Sequence, residues 1–300
     1  MCSAKFHKIP SLSSYVMDGT QRVYDAFFCD IWGVIHNGVV AFESTVEALT
    51  QFRHKGGSVI LISNAPRSAS TVREYLDRLH VPQEAFDAIV TSGDVTAEEI
   101  MRRKNEPVYY LGPAKDHGLL SEFGITPSSL EHAAYVLCAG LKDDTYETPD
   151  HYKEILEHMA SHNLPMICAN PDRIVRRGTT LVYCAGALAE AYSHLGGHVI
   201  YAGKPYPPIY TLGFDVLANL RGEVVPRNRI LAIGDSMETD IRGATDMNLD
   251  SVFVYSGIHT SELNGLEDED HILWFKNQLD SHRSPTDTHV HYALMPKVLW

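Results

Sequence analysis

The sequence predicts an α/β protein: a doubly wound, Rossmann-like parallel sheet with a second α/β domain inserted into it. Two patterns and the length predict this. Short, wholly apolar runs alternate with stretches of helical spacing from Ala26 onward, and each apolar run ends in polar residues. The chain of 300 residues also exceeds the roughly 100–200 of one ordinary domain. Two domains are therefore expected, a core from 1–104 and 200–300 and an insert over 105–199.

Residues 1–24 are a polar lead-in with a candidate helix N-cap in Ile9–Ser14. Ala26-Phe-Phe-Cys29 reads as a strand buried on both faces, and it runs directly into Asp30. Gly33 and Gly38 then open the chain just past the strand end, where open α/β sheets hold their ligands. Asp30 there either caps the next turn or serves as nucleophile or metal ligand. Phe42–His54 has helical spacing and stops at Gly56-Gly57, and Ser58–Ser63 is a second apolar strand leading to Asn64. A helix over Ser68–Leu79, a strand over Asp87–Thr91 and a helix over Asp94–Lys104, capped by Asp94, complete the first part.

Glu106-Pro107 breaks the pattern, and a new alternation follows. Its strands are expected at Val108–Leu111, Ala134–Cys138 and Met166–Ala169. Its helices are expected at Lys115–Phe123, Pro149–His162 and Ala185–Leu195, the last rich in small residues suited to close packing. Val199–Ala202 then leads to Gly203-Lys204-Pro205, and Ile230–Gly234 to Asp235-Ser-Met-Glu-Thr-Asp240, with Ser251–Tyr255 as a last strand. The tail past Glu267 looks less regular. Glu267–Asp270 reads as a solvated loop, and Trp274, Phe275 and Trp300 read as packed anchors.

Hydrophobic residues at 44% and charged residues at 21% describe an ordinary globular protein, and a formal charge of −13 disfavours nucleic acid as a partner. Five cysteines without a CxxC pair fit free thiols in a reducing compartment. The first ten residues lack a signal-peptide apolar core, and no run approaches 18 apolar residues, so no membrane association and a cytoplasmic location are expected.

Because Asp30, Ser63-Asn64, Lys204 and Asp235 each follow an apolar strand, they are expected at strand ends on one edge of the sheet, where they could converge. Two carboxylates suit a hard ion such as Mg²⁺, and Asp240 could orient a metal-bound water. Lys204 supplies a point charge, and Ser63 with the amides around Asn64 supplies donors near a helix start, as phosphoryl oxygens require. Asp30 would then be the nucleophile, forming an aspartyl-phosphate that water opens.

The ordered set Asp30-x-x-Gly33-Val34, Ser63-Asn64, Gly203-Lys204-Pro205 and Gly234-Asp235-Ser-x-x-Thr239-Asp240 resembles the four motifs of the haloacid dehalogenase (HAD) superfamily. The insert between the second and third motifs resembles the class IIA branch with its type C2 cap. That resemblance implies a Mg²⁺-dependent phosphatase or phosphotransferase acting on a small phosphorylated metabolite. It makes Asp30 nucleophile and metal ligand, Ser63 and Lys204 phosphate holders, Asp235 a Mg²⁺ ligand and the Trp32 backbone carbonyl a further one. It also suggests a homodimer.

One position departs from the family pattern. Phosphatases of the superfamily usually carry a second Asp two residues after the nucleophile, as general acid and base, and here that residue is Trp32. Loss of a positioned acid disfavours poor leaving groups, and His36 is the nearest titratable substitute, against a plain local hydrogen bond. Two alternatives stay open. One is carbon–phosphorus or carbon–halogen cleavage, the former calling for a buried Schiff-base lysine among Lys115, Lys142 and Lys153. The other is phosphometabolite binding without turnover.

Asn170-Pro-Asp172 is the expected substrate-facing loop, as similar class IIA sequences suggest, or else an Asx-turn. Arg67, Arg176 and Arg177 either meet a second anionic group or are solvated. His158 and His162, four apart on a helix, lack the Glu of a HExxH zinc motif.

Overall fold

Seven strands form the larger sheet, in the order Lys5–Lys8, His291–Met295, Asp250–Val254, Ile230–Gly234, Ala26–Cys29, Ser58–Ser63, Ala88–Thr91. The computed structural model describes residues 5–18, 21–178, 180–255, 257–263, 268–282 and 291–300. Registers from Lys5–Lys8 through Ser58–Ser63 are all parallel. Ala26–Cys29 lies in the interior of the sheet with all four residues buried, which is why it reads as a continuous apolar run.

The helix Glu43–His54 buries Ala48, Leu49 and Phe52, and Phe52 stacks on Phe27 of the neighbouring strand with centroids 3.6 Å apart. Gly56, at φ 82°, ends it as its position predicts.

By internal contacts the chain forms two units: Met1–Ile62 with Tyr75–Val90 and Tyr210–Trp300, and Ser63–Glu74 with Thr91–Ile209. The second unit thus contains the expected insert and also short segments from both sides of it. Its four-stranded parallel sheet runs Val199–Tyr201, Met166–Cys168, Tyr135–Cys138, Val108–Leu111. Leu156 and Met159 of the helix Lys153–Ser161, and Leu188 and Tyr192 of Ala185–His194, pack on it with Val136 and Met166. The small residues of Ala185–His194 serve this packing, since a Cβ on Gly186 would lie 2.1 Å from the Pro171 carbonyl oxygen.

Several expectations need correction. Thr91, not Asp94, caps the helix Ser92–Arg102. Asp94 is three residues in, its carboxylate accepting from the Thr91 N–H at 2.9 Å while its own N–H donates to Thr91 Oγ1. A capping box places an acidic residue at this point, and the sequence pattern alone does not say which partner starts the helix. The helix expected over Lys115–Phe123 is a 3₁₀ turn, Ala114–Asp116, and a short helix, Gly118–Ser121. Asp268–Asp270 open the 15-residue helix Asp268–His282 rather than a loop, while Glu267 lies outside the described residues.

Further elements were not expected, among them the strands Lys5–Lys8 and His291–Met295, the helix Pro207–Arg221, and the antiparallel hairpin Ile174–Arg177 with Thr180–Tyr183. Trp274 and Phe275 do anchor the tail: Phe275 is fully buried, and both lie against Phe253. No described helix is long and apolar enough to cross a membrane. Cys29, Cys138, Cys168 and Cys184 form no disulfide and are buried, as small hydrophobes are, and Cys2 lies outside the described residues.

Candidate active site

The strand order of the larger sheet reverses between the parallel neighbours Ala26–Cys29 and Ile230–Gly234. The chain leaves Ala26–Cys29 for Ser58–Ser63 on one side and leaves Ile230–Gly234 for Asp250–Val254 on the other. Ligands of open α/β sheets bind at such a switch point, beyond the carboxyl ends of the strands. Cys29 is paired with Ile233, and the Asp30 N–H donates to the Ile233 carbonyl at 2.8 Å, so Asp30 and Asp235 leave neighbouring strands nearly in step.

Asp30, Asp235 and Asp240 each offer a carboxylate oxygen within 4.8 Å of the others. All three are buried. Among the described residues this is the only such group of three metal-ligating side chains. Three buried carboxylates repel one another strongly in a low dielectric, and a hard divalent cation with oxygen ligands offsets that repulsion. The donor set therefore fits Mg²⁺ chemistry.

Neighbouring backbone sets each carboxylate. Asp235 Oδ2 accepts from the Ile258 N–H at 2.7 Å, and Asp240 Oδ2 accepts from the Ser236 N–H at 3.2 Å. Asp235 fits because glycines flank it: a Cβ on Gly33 or on Gly257 would lie 2.0 Å from its Oδ2. Gly33 also has φ 88°, so any side chain there is strained as well as crowded. Gly33→Ala is expected to displace Asp235 and weaken divalent-metal binding at least about tenfold, measured by calorimetric Mg²⁺ titration, with a cost of about 1–3 kcal/mol in stability. Gly257 and Ile258 were missed by sequence reasoning, although a glycine just past the strand Asp250–Val254 was the available signal.

Trp32 and His36 build the loop beyond Asp30. The two rings meet edge to face with centroids 5.0 Å apart, and Tyr75 meets His36 the same way at 5.3 Å. The Gly38 N–H donates to His36 Nδ1 at 3.0 Å, and the Tyr75 hydroxyl donates to the Gly38 carbonyl at 2.9 Å. His36 is thus the local structural imidazole, with one ring nitrogen already occupied.

Burial pushes its pKa down to about 4. The unfolded chain, near the ordinary 6.5, takes up the proton first as the pH falls. Stability from the neutral ring is therefore complete above about pH 6.5 and is lost as the pH falls towards 4. Urea midpoints should fall through that window, and His36→Gln should flatten the profile by up to about 1.4 kcal/mol per pH unit.

The phosphate-binding candidates occupy the second unit. Lys204 does not share the sheet edge expected for it: Val199–Tyr201, the strand before it, pairs with Met166–Cys168 in the smaller sheet, because an apolar run shows that a strand is buried and not which sheet it joins. Ser63 ends its strand with its hydroxyl accepting from the Ala65 N–H at 3.2 Å. The following helix begins only at Ala69, and the Ala69 N–H is taken by Asp94, so Ser63 and Asn64 do not lie at a helix N-terminus. Asn64 and Lys204 are buried, at 4% exposure each. Asn64 bonds Lys204 through its main chain and Asp172 through its carboxylate. Asn170 Oδ1 accepts from the Asp172 N–H at 3.1 Å, the Asx-turn that the motif allows.

The arginines and lysines have other occupations. Arg67 pairs with buried Asp116 at 2.5 Å, and Arg177 reaches Asp144 through both terminal nitrogens, at 2.9 and 2.6 Å. Lys115, Lys142 and Lys153 are all exposed, so none is the buried lysine that phosphonate chemistry requires. His158 and His162 stack on one another at 4.2 Å, and no third ligand joins them among the described residues.

The fold and these carboxylates define a doubly wound α/β protein whose reactive groups sit on strand ends at a topological switch point. Residues 27–126 match the family model of haloacid dehalogenase-like hydrolases, and residues 201–273 match that of HAD-hydrolase-like proteins. A solved haloacid dehalogenase-like hydrolase from Brucella suis 1330 is 38% identical, with a TM-score of 0.80 over 92% of this chain and 96% of that one. The chain belongs to the haloacid dehalogenase-like hydrolase family.

A p-nitrophenyl phosphatase from Archaeoglobus fulgidus shares the fold at 21% identity, with a TM-score of 0.67 over 91% of this chain and 96% of that one. Among curated relatives, the acid sugar phosphatase of Staphylococcus aureus (strain USA300) is 24% identical over 245 residues, 80% of this chain and 90% of its own length.

Proposed function

We propose that this protein is a Mg²⁺-dependent phosphohydrolase of small phosphorylated metabolites, working through an aspartyl-phosphate on Asp30. The observation that carries the reading is the buried trio Asp30, Asp235 and Asp240 at the strand ends. Relatives named acid sugar phosphatase and p-nitrophenyl phosphatase support a phosphate monoester as the substrate class.

In this reading an Asp30 carboxylate oxygen attacks phosphorus. The bond to the leaving-group oxygen breaks, and its electron pair departs with that oxygen, which needs a proton. Water then opens the acyl phosphate, releasing inorganic phosphate and restoring the Asp30 carboxylate. Lys204 supplies positive charge to the phosphoryl oxygens, and the Ser63 hydroxyl supplies a hydrogen bond. Asp30, Asp235 and the Trp32 carbonyl would hold Mg²⁺, with Asp240 beside them, and the bound ion's chemistry is neutralisation of phosphoryl charge. Residues 105–199 form the cap domain, with Asn170 and Asp172 its residues of interest, and 1–104 with 200–300 form the core. A homodimer and a cytoplasmic location complete the reading.

The test is phosphate release from alkyl, aryl and acyl phosphates, before and after chelation and with Mg²⁺ restored. Release that disappears on chelation and returns with Mg²⁺ supports the reading. Metal-independent release, or none from any ester, overturns it.

A further inference from the structure

We propose that Asp172 is a positioning residue for Lys204, acting through Asn64 rather than by touching substrate; this rests on the phosphohydrolase reading of Lys204. The Asn64 amide has every donor in use. Its Nδ2 donates to Asp172 Oδ1 at 2.9 Å and to the Lys204 carbonyl at 3.1 Å, and its Oδ1 accepts from the Lys204 N–H at 2.7 Å. One planar side chain thereby reads both main-chain groups of a single residue, which fixes the direction in which that residue leaves the backbone. The Asp172 carboxylate accepts the remaining N–H, so it holds the amide in the orientation that Lys204 requires.

Asp172 is itself fastened on two sides. Its N–H donates to Asn170 Oδ1 at 3.1 Å, and its carbonyl accepts from the Gly186 N–H at 3.0 Å, next to the start of the helix Ala185–His194. Little slack exists between the parts. A Cβ on Gly203 would lie 2.3 Å from Asn64 Oδ1 and 2.8 Å from Pro171 Cδ, and a Cβ on Gly186 would lie 2.5 Å from the Asp172 carbonyl oxygen. A shift of the Asn170–Asp172 turn is therefore passed to Asn64 and on to the Lys204 peptide. The turn belongs to the insert, so the relay ties the expected substrate-facing loop to the lysine proposed to hold phosphate.

The experiment compares Asp172→Ala, Asp172→Asn, Asn64→Ala and the Asp172→Ala/Asn64→Ala double variant of the full chain. Inhibition by inorganic phosphate and the kcat and KM of two unlike esters are measured for each. Asp172→Ala should weaken inorganic phosphate binding about 10- to 100-fold and raise KM for both esters by the same factor. Asp172→Asn keeps an oxygen acceptor for Asn64 and should restore most of the loss. In the double variant, removing Asp172 after Asn64 should cost less than about twofold more.

Unchanged phosphate affinity with an altered ranking of the esters overturns the relay and makes Asp172 a substrate contact. Additive losses in the double variant overturn it too. Hydrogen exchange at the Lys204 amide reads the same relay without turnover: it should accelerate at least about tenfold in Asp172→Ala, and unchanged exchange overturns the proposal. Should the wild type neither release nor bind phosphate, the phosphohydrolase reading fails by itself, while the exchange result still decides the relay.

Discussion

Asp30→Asn is expected to lower phosphate release by at least about 10³-fold for every ester, with the fold and melting temperature nearly intact. Asn keeps the volume and the backbone N–H bond to Ile233, 2.8 Å long in the wild type. What it removes is the anionic oxygen that attacks phosphorus, and with it one of the three clustered carboxylates. Two readouts separate these roles. Mg²⁺ affinity by calorimetry should fall modestly, because Asp235 and Asp240 remain, whereas turnover should be lost even at saturating metal. Acid-quenched wild-type protein, incubated with a labelled aryl phosphate, should carry an acid-stable, hydroxylamine-labile acyl phosphate that Asp30→Asn lacks. Full turnover in Asp30→Asn at high Mg²⁺ would remove Asp30 as the nucleophile.

The second large effect is on the leaving group. Wild-type protein should hydrolyse aryl and acyl phosphates readily and alkyl phosphates slowly, with log kcat falling steeply as the leaving-group pKa rises. Trp32 has no proton to give at the position where the family usually carries an Asp. The nearby imidazole is a poor substitute: His36 Nδ1 already accepts the Gly38 N–H, Trp32 and Tyr75 flank the ring, and its pKa is lowered to about 4 by burial.

Trp32→Asp should raise alkyl-ester turnover about 10²–10⁴-fold while changing aryl and acyl esters little. The substitution also removes packing, since the indole lies where a Cβ on Gly38 would be 2.6 Å from Cζ2. Trp32→Phe controls for that, keeping an aromatic ring without an acid, and should show no gain on alkyl esters. Fast alkyl turnover in the wild type, independent of leaving group, would mean that another residue supplies the proton.

Much of this was legible because strand ends are legible. Ala26–Cys29, Ser58–Ser63 and Ile230–Gly234 are buried on both faces, so their apolar runs stop abruptly at Asp30, at Asn64 and at Asp235. Parallel pairing then brings two of those ends together, Cys29 opposite Ile233. Weakly apolar or mixed segments were harder. The hairpin Ile174–Arg177 with Thr180–Tyr183 is partly buried to exposed over most of its length, and so lacks the apolar signal of a core strand. The start of the helix Ser92–Arg102 was misplaced because Thr91 and Asp94 each bond the other's N–H.

The sequence by itself determined the alternating α/β plan, the two-domain expectation and the chemical identity of the candidate groups, because burial and strand termination leave a local pattern. Tertiary structure alone decided which groups work on one another. Asn64 meets Asp172 from 108 residues away and Lys204 from 140, and Gly33 and Gly257 make room for one carboxylate from opposite ends of the chain. Such contacts depend on register and packing across the fold, and no periodicity within a single segment encodes them.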